Sequence, residues 1–341
     1  MIEVFKRPSF YIALALIIIF GIIGGLGQAN IGPAQLVANG MDLMMWIGLG
    51  LAMAVIMSYA GYVSFGHSVF IGLGSFASAY LIAYKYSDYL IKVKMAHGGV
   101  LPAGTTVKFF VMALLLASVF AVVTAGLVGY AVLRLRGAFF AIATIGLNYV
   151  VLYLVIFYLK NYIHSLEGLE LGNPSMGLTN IDFYWMHYVV FIITILVAYY
   201  VRVSKLGYGL AAIREDEDAA EIAGVDTFKY KLIAFIIAGW LASLWGVAKE
   251  FRGSFVATDD FNLLYSVIMI LENAIGGIGS FTGPIIGSFI YYPLKWYTQT
   301  IAGVFALVIL GILIILVVTF TPEGVVGILR RKYPNLRKYL E

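Results

Sequence analysis

The chain has 341 residues, of which 62% are hydrophobic and 12% charged, and its mean hydropathy is +0.95. Soluble globular chains carry about 25% charged residues, so the composition excludes an ordinary soluble enzyme, a disordered chain and a fibrous protein, and points to a polytopic membrane protein. The net charge of +4 fits Lys and Arg in cytoplasmic loops rather than nucleic-acid binding, and the absence of cysteine excludes disulfides and thiolate metal sites.

Crossing ~30 Å of hydrocarbon as a helix takes ~20 apolar residues. Ser9 to Gly27 is the first such run, behind Lys6 and Arg7. It is longer than the apolar part of a secretory leader and reads as a retained span. Further runs follow at 42–62, 67–84, 109–132, 138–159, 186–203, 231–249, 263–276, 283–298 and 302–320. The 263–276 and 283–298 pieces are short and read either as two thin spans or as a re-entrant pair. The expected fold is an all-α polytopic transmembrane helical bundle of about 8–10 spans, with residues 1–341 as one membrane-spanning domain. Its 37 glycines suit close helix packing, because small residues let backbones approach in lipid. Trp46, Trp185 and Trp296 fall near span ends and suit interfacial belts. Gly72-Leu73-Gly74-Ser75-Phe76 is echoed by Gly277-Ile278-Gly279-Ser280-Phe281, a candidate internal repeat of the kind transporters use.

Charge orients the chain. With the N-terminus inside, Lys6, Arg7, Arg134, Arg136, the 203–230 loop and the basic tail 321–341 with Arg330, Arg331, Lys332, Arg337 and Lys338 all fall inside. That places the larger share of Lys and Arg in the cytoplasm, as the positive-inside rule requires. The 85–108 loop, with Lys85, Lys92, Lys94 and Lys108, falls outside. Arg134 and Arg136 read as snorkelling anchors.

The most informative stretch is the loop 204–230. Leu210 to Ala223 is rich in Ala, Leu and Glu, which favours helix. Gly224 sits where a glycine ends a helix, and Asp226 or Thr227 can cap the next one. Glu215, Asp216, Glu217, Asp218 and Glu221 form an acidic face beside Ala219, Ala220 and other small apolar residues. Taken by itself, this pattern fits a solvated connector and a docking knob for a soluble partner about equally.

Ala212-Ile213-Arg214-Glu215-Asp216-Glu217 followed by Ala219-Ala220 and Gly224 resembles the cytoplasmic loop of ABC-importer permeases, and more narrowly the M-type subunit of the branched-chain amino acid permease family. Further motifs resemble that family in the same order: Ser64-Phe65-Gly66-His67-Ser68, Leu133-Arg134-Leu135-Arg136-Gly137, Met176-Gly177-Leu178-Thr179, Gly276-Gly277-Ile278-Gly279-Ser280-Phe281-Thr282-Gly283-Pro284 and Thr321-Pro322-Glu323-Gly324. The resemblance implies a permease in the plasma membrane of a prokaryote that imports branched-chain amino acids. It implies a related permease subunit beside it and two ATP-binding subunits docked on Arg214, Glu215, Asp216, Glu217, Ala219, Ala220 and Gly224. It also implies an extracytoplasmic solute-binding protein. The dense acidic run 215–218, Glu272-Asn273 before the double glycine and the long 85–108 insert depart from the family pattern.

No P-loop, H-E-x-x-H or G-x-S-x-G occurs, and His67, His97, His164 and His187 are dispersed. No catalytic residue, metal site, cofactor or nucleic-acid partner is expected. Candidates for a translocation path are polar residues in spans. Glu272 costs at least ~2.5–3.5 kcal/mol at mid-membrane, and it reads equally as path-lining or as an interfacial residue at the mouth of a re-entrant pair. Asn273 follows it with a smaller desolvation cost. His67 reads first as a packing residue. Asn148 and Thr144, one turn apart, read first as helix-to-helix glue. The rival function is a stand-alone secondary transporter or channel for a small polar solute such as urea or an amide, for which Glu272 and Glu250 are the ion-binding candidates.

Overall fold

The computed structural model describes residues 8–158, 169–170, 178–253, 255–305 and 324–333, with isolated helical positions between 308 and 319. Lys6, Arg7, His164, Met176-Gly177, Thr321 to Glu323, Arg337, Lys338 and most of the expected 302–320 span lie outside the described residues. The elements are α1 (Pro8–Gln28), α2 (Ala34–Ile56), α3 (Ser68–Ala79, prolonged by a π-helical turn Tyr80–Lys85), α4 (Ser87–Ala96), α5 (Ala103–Val132) and α6 (Ala138–Tyr158). They continue with α7 (Asn180–Val203), α8 (Lys205–Glu215), α9 (Glu217–Ile222), α10 (Thr227–Gly253), α11 (Leu263–Gly276), α12 (Thr282–Ala302) and α13 (Gly324–Lys332). Extended structure among the described residues is one antiparallel pair, β1 (Leu169–Glu170) with β2 (Phe255–Val256), Leu169 opposite Val256.

Among the described residues, six helices are long and apolar enough to cross a membrane: α1, α2, α5, α6, α7 and α10. The α3 and α4 segments, bent by 61°, make a seventh span if taken together. The structure is therefore the all-α polytopic bundle that the apolar runs predict. The insert at 85–108 is not an open loop but carries α4. The two short pieces become α11 and α12, joined by the five-residue turn 277–281. Fourteen residues of α11 reach only about 21 Å, short of the hydrocarbon thickness. The chain leading into α11 passes from β2 through a short 3₁₀ turn, Thr258–Phe261, and is held inside the bundle: Asn148 donates to the Phe261 carbonyl at 3.0 Å. Irregular backbone is tolerated in a membrane protein where protein groups satisfy it in this way.

The core sits on α2 and α10. Their apolar windows are 78% and 72% buried, against 22%, 22% and 17% for α1, α5 and α6. Close approach explains the difference. Trp245 of α10 is fully buried against Gly48 of α2 and donates its indole N–H to Thr194 of α7 at 3.1 Å. Gly74 of α3 and Gly246 of α10 each lie on the other helix's backbone carbonyls. Helix α5 presents Ala113, Ala117, Ala121, Ala125 and Gly129, all buried, a four-residue repeat of small side chains that lets it lie flat on its neighbours. The α11–α12 pair is closed by Gly276, Gly283 and Gly287, where an added Cβ would strike the partner's backbone.

The echoed pentapeptides do not share local structure. Gly72 to Phe76 lies within α3, whereas Gly277 to Phe281 is the turn between α11 and α12, with Gly277 at φ +123°. Identical glycines serve helix contact in one place and chain reversal in the other. Trp46 is also not an interfacial anchor: it is buried, stacked on Tyr265 and edge-on to Tyr291.

Candidate translocation and docking site

The loop expected as one helix over 210–223 is two. Asp216 leaves the helix in an extended conformation and its carboxylate accepts from the Ala219 N–H at 3.0 Å, so it ends α8 and caps α9. The predicted stop is where the sequence put it: Gly224 has φ +88°, and Val225 N–H closes on the Ala220 carbonyl at 3.0 Å. Asp226 caps α10, accepting from the Lys229 N–H at 3.0 Å.

The acidic residues divide into two groups. Glu215, Asp216, Asp218 and Glu221 are exposed, but Glu217 turns inward. It pairs with buried Lys231 of α10 at 2.6 Å and accepts from the Tyr62 hydroxyl. Arg136, at the α5–α6 turn, approaches it at 3.4 Å and pairs with Asp218 at 2.6 Å. Arg136 is thus an ion-pair partner of α9 rather than a lipid anchor. Partial burial alone raises the Glu217 carboxyl, but the hydrogen bonds from Lys231 and Tyr62 and the charges of Lys231 and Arg136 outweigh it and hold it below its ordinary range. Ala220 is buried beneath α9, while Ala219 and Ile222 point outward. Arg214 is half-buried: it pairs with Glu215 at 2.6 Å and donates to the Ser58 carbonyl, just past the end of α2, at 3.0 Å.

Ser58 links this loop to the core. Its hydroxyl donates to Asn273 of α11 at 2.7 Å. Asn273 donates in turn to the Gly50 carbonyl at 2.9 Å and the Met269 carbonyl at 2.8 Å. Its neighbour Glu272 is fully buried, and among the described residues neither carboxylate oxygen has a hydrogen-bond partner. It faces Gly50 of α2, with the Ser288 hydroxyl of α12 beside it; that hydroxyl donates to Pro284 at 2.8 Å. Glu272 is thus enclosed by protein where three helices meet.

The remaining candidates form a separate seam. Asn148 accepts from the Ser68 hydroxyl at 3.0 Å, and Thr144 accepts from the Phe65 N–H at 3.1 Å, so both bind α6 to the start of α3. His67 is buried, edge-on to Phe70 and Phe235, with both ring nitrogens unpartnered among the described residues. The sequence singled out neither Tyr291 nor Lys295, although 288, 291 and 295 share a helix face by spacing.

A family described as "Branched-chain amino acid transport system / permease component" matches residues 36–318. The high-affinity branched-chain amino acid transport system permease protein LivM of Escherichia coli (strain K12) is 24% identical over 314 residues, covering 84% of this chain and 69% of LivM. LivH of Salmonella typhimurium, a permease protein of the same description, is 24% identical over 294 residues, covering 75% of this chain and 92% of LivH. The probable branched-chain amino acid transport permease LivH of Methanocaldococcus jannaschii is 27% identical over 156 residues, covering 42% of this chain and 49% of its own length. No solved structure gives a significant match. These relatives are transporter components, not enzymes. The family match runs from α2 through the loop helices and the α11–α12 pair, so the chain belongs to the permease components of branched-chain amino acid transport systems.

Proposed function

We propose that the protein is the transmembrane permease subunit of an ATP-driven importer of branched-chain amino acids in the plasma membrane of a prokaryote. A related permease subunit supplies the other half of the path, two ATP-binding subunits dock on the 208–224 loop, and an extracytoplasmic solute-binding protein delivers substrate. One observation carries the docking: α9 is fastened underneath by the buried Glu217–Lys231 pair and carries Ile222 on its outer side, 90% exposed, beside Ala219 and the Gly224 turn. An isolated solvated connector has no use for a held, apolar, small-residue knob. Closure of the ATP-binding pair would push this knob. Arg214 would carry the displacement to Ser58 and so to Asn273, opening the α2–α11–α12 seam to one side and then the other.

The test is co-purification from native membranes with a tag on this chain. The ATP-binding subunits are expected to come with it, and ATP-dependent leucine uptake to follow reconstitution. Gly224→Val, strained at a φ of +88°, is expected to lose both while still inserting. Normal uptake and wild-type recovery of the ATP-binding subunits with that variant overturn the docking role. Unpaired Glu272 is the feature that favours the rival, an ion-coupled carrier of a small polar solute; uptake by the chain alone without ATP would establish it.

A further inference from the structure

Two ionisable side chains of opposite type, a carboxyl and an amine, lie near one aromatic wall without pairing. Glu272 of α11 is fully buried, with both oxygens unpartnered among the described residues. Lys295 of α12 is half-buried and forms no ion pair among the described residues; its ammonium stands 4.6 Å from the centre of the Trp46 ring. It is close enough to sense the charges of both Asp42 and Glu272. Trp46 meets Tyr291 edge-on with centroids 5.2 Å apart, and the Tyr291 hydroxyl is buried near Glu272 without a partner among the described residues.

Buried charges in a membrane protein are expensive and ordinarily pair. Here direct pairing is not made although both side chains belong to one helix hairpin. Ser288, Tyr291 and Lys295 fall on one face of α12. Ser288 lies against Glu272, and Lys295 is seven residues on, about 10 Å along the axis. An amino-acid ammonium and carboxylate, with a hydrogen bond at each end, span roughly 8–9 Å. Pro293 lies inside α12 between Tyr291 and Lys295. It removes a helix hydrogen bond and lets the helix bend there, so Lys295 can move relative to Glu272 when the seam opens.

We propose that the α2–α11–α12 seam is the head-group site for a zwitterionic amino acid with an apolar side chain: Glu272 takes the ammonium, Lys295 the carboxylate, and Trp46 with Tyr291 forms the wall for the side chain. This assignment rests on the proposed import of branched-chain amino acids and names the residues that read the substrate within the permease. A lone cation or anion would leave one of the two charges unanswered; a zwitterion answers both.

The experiment uses the complex co-purified with its partner subunits, without the solute-binding protein. It measures binding of leucine, leucinol (no carboxylate) and 4-methylpentanoate (no ammonium). The wild type is expected to prefer leucine. Lys295→Met is expected to weaken leucine about 10- to 100-fold while leaving leucinol unchanged, the loss expected for one charge-assisted hydrogen bond. Glu272→Gln is expected to weaken leucine similarly while leaving 4-methylpentanoate unchanged. Lys295→Arg and Glu272→Asp are expected to recover most of the leucine affinity. Equal loss of all three ligands in both variants, unchanged leucine affinity in both, or no leucine binding by a wild-type complex that transports leucine overturns the site and leaves the proposed function standing. A wild-type complex that neither carries ATP-binding subunits nor transports leucine overturns the proposed function itself.

Discussion

Glu217 shows how much a single residue's placement changes its meaning. In the sequence it is one of a row of acids; in the fold it holds Lys231, Tyr62 and Arg136 together. Removing one partner of a buried pair leaves the other charge uncompensated, so Glu217→Ala is expected to destabilise the protein by about 3 kcal/mol. Asp218→Ala, at an exposed ion pair, should cost under about 1 kcal/mol. Thermal unfolding in detergent compares the two. The pH dependence has a definite sign. Because the Glu217 carboxyl is held below its ordinary range, its contribution is present at neutral pH and is lost as acid protonates it, at a lower pH than for a free carboxylate. Wild-type melting temperature should therefore fall on acidification more than that of Glu217→Gln, and parallel curves would show that the pair contributes nothing.

Elements transmit what residues hold. The α8–α9 loop reaches the centre of the bundle through Arg214, the Ser58 carbonyl, the Ser58 hydroxyl and Asn273. Ser58→Ala cuts the last link but leaves the loop attached. It is expected to keep co-purifying ATP-binding subunits and their basal ATP hydrolysis while lowering leucine uptake per ATP several-fold, and Ser58→Thr, which keeps the hydroxyl, should restore the ratio. A proportional fall in hydrolysis and uptake would remove Ser58 from the coupling path. The α5 alanine row makes a packing prediction. Ala117 is fully buried, so Ala117→Leu overpacks the face that carries this helix and should destabilise by about 1–3 kcal/mol. Val119→Leu, at an outward position, should be neutral in the same melt.

At the scale of the molecule, helices α1, α5 and α6 keep most of their surface outside the fold, as expected of spans that meet lipid or a second permease. The Arg214, Arg136 and Lys231 cluster gathers at one end, and the α1–α2 turn with α4 at the other. The inward N-terminus inferred from charge puts the first end in the cytoplasm. Since the chain has no cysteine, single cysteines report the orientation cleanly. Met95→Cys, 76% exposed, should react with an impermeant thiol reagent in intact cells, and Asp216→Cys should react only after permeabilisation. The opposite pattern would invert the molecule and move the docking surface outside.

Composition and apolar runs were enough to determine the bundle, and the Gly224 and Asp226 helix signals were enough to determine how the loop re-enters the membrane, because span length and capping are local properties of consecutive residues. Local chemistry also marked Glu272 as costly. Its neighbours on α2 and α12, the inward turn of Glu217 and the break at Asp216 were decided only by tertiary structure. So were the burial of Trp46 and the different uses of two near-identical glycine pentapeptides. Each depends on groups far apart in sequence: Ser58 and Asn273 are separated by 215 positions, and Trp46 and Tyr291 by a similar distance. In a bundle whose spans are nearly all apolar, the pattern of hydrophobicity says which segments enter the membrane but not which faces meet. That choice is made by the fit of glycine and alanine surfaces against large side chains, and it is this fit that brings the buried charges to one seam.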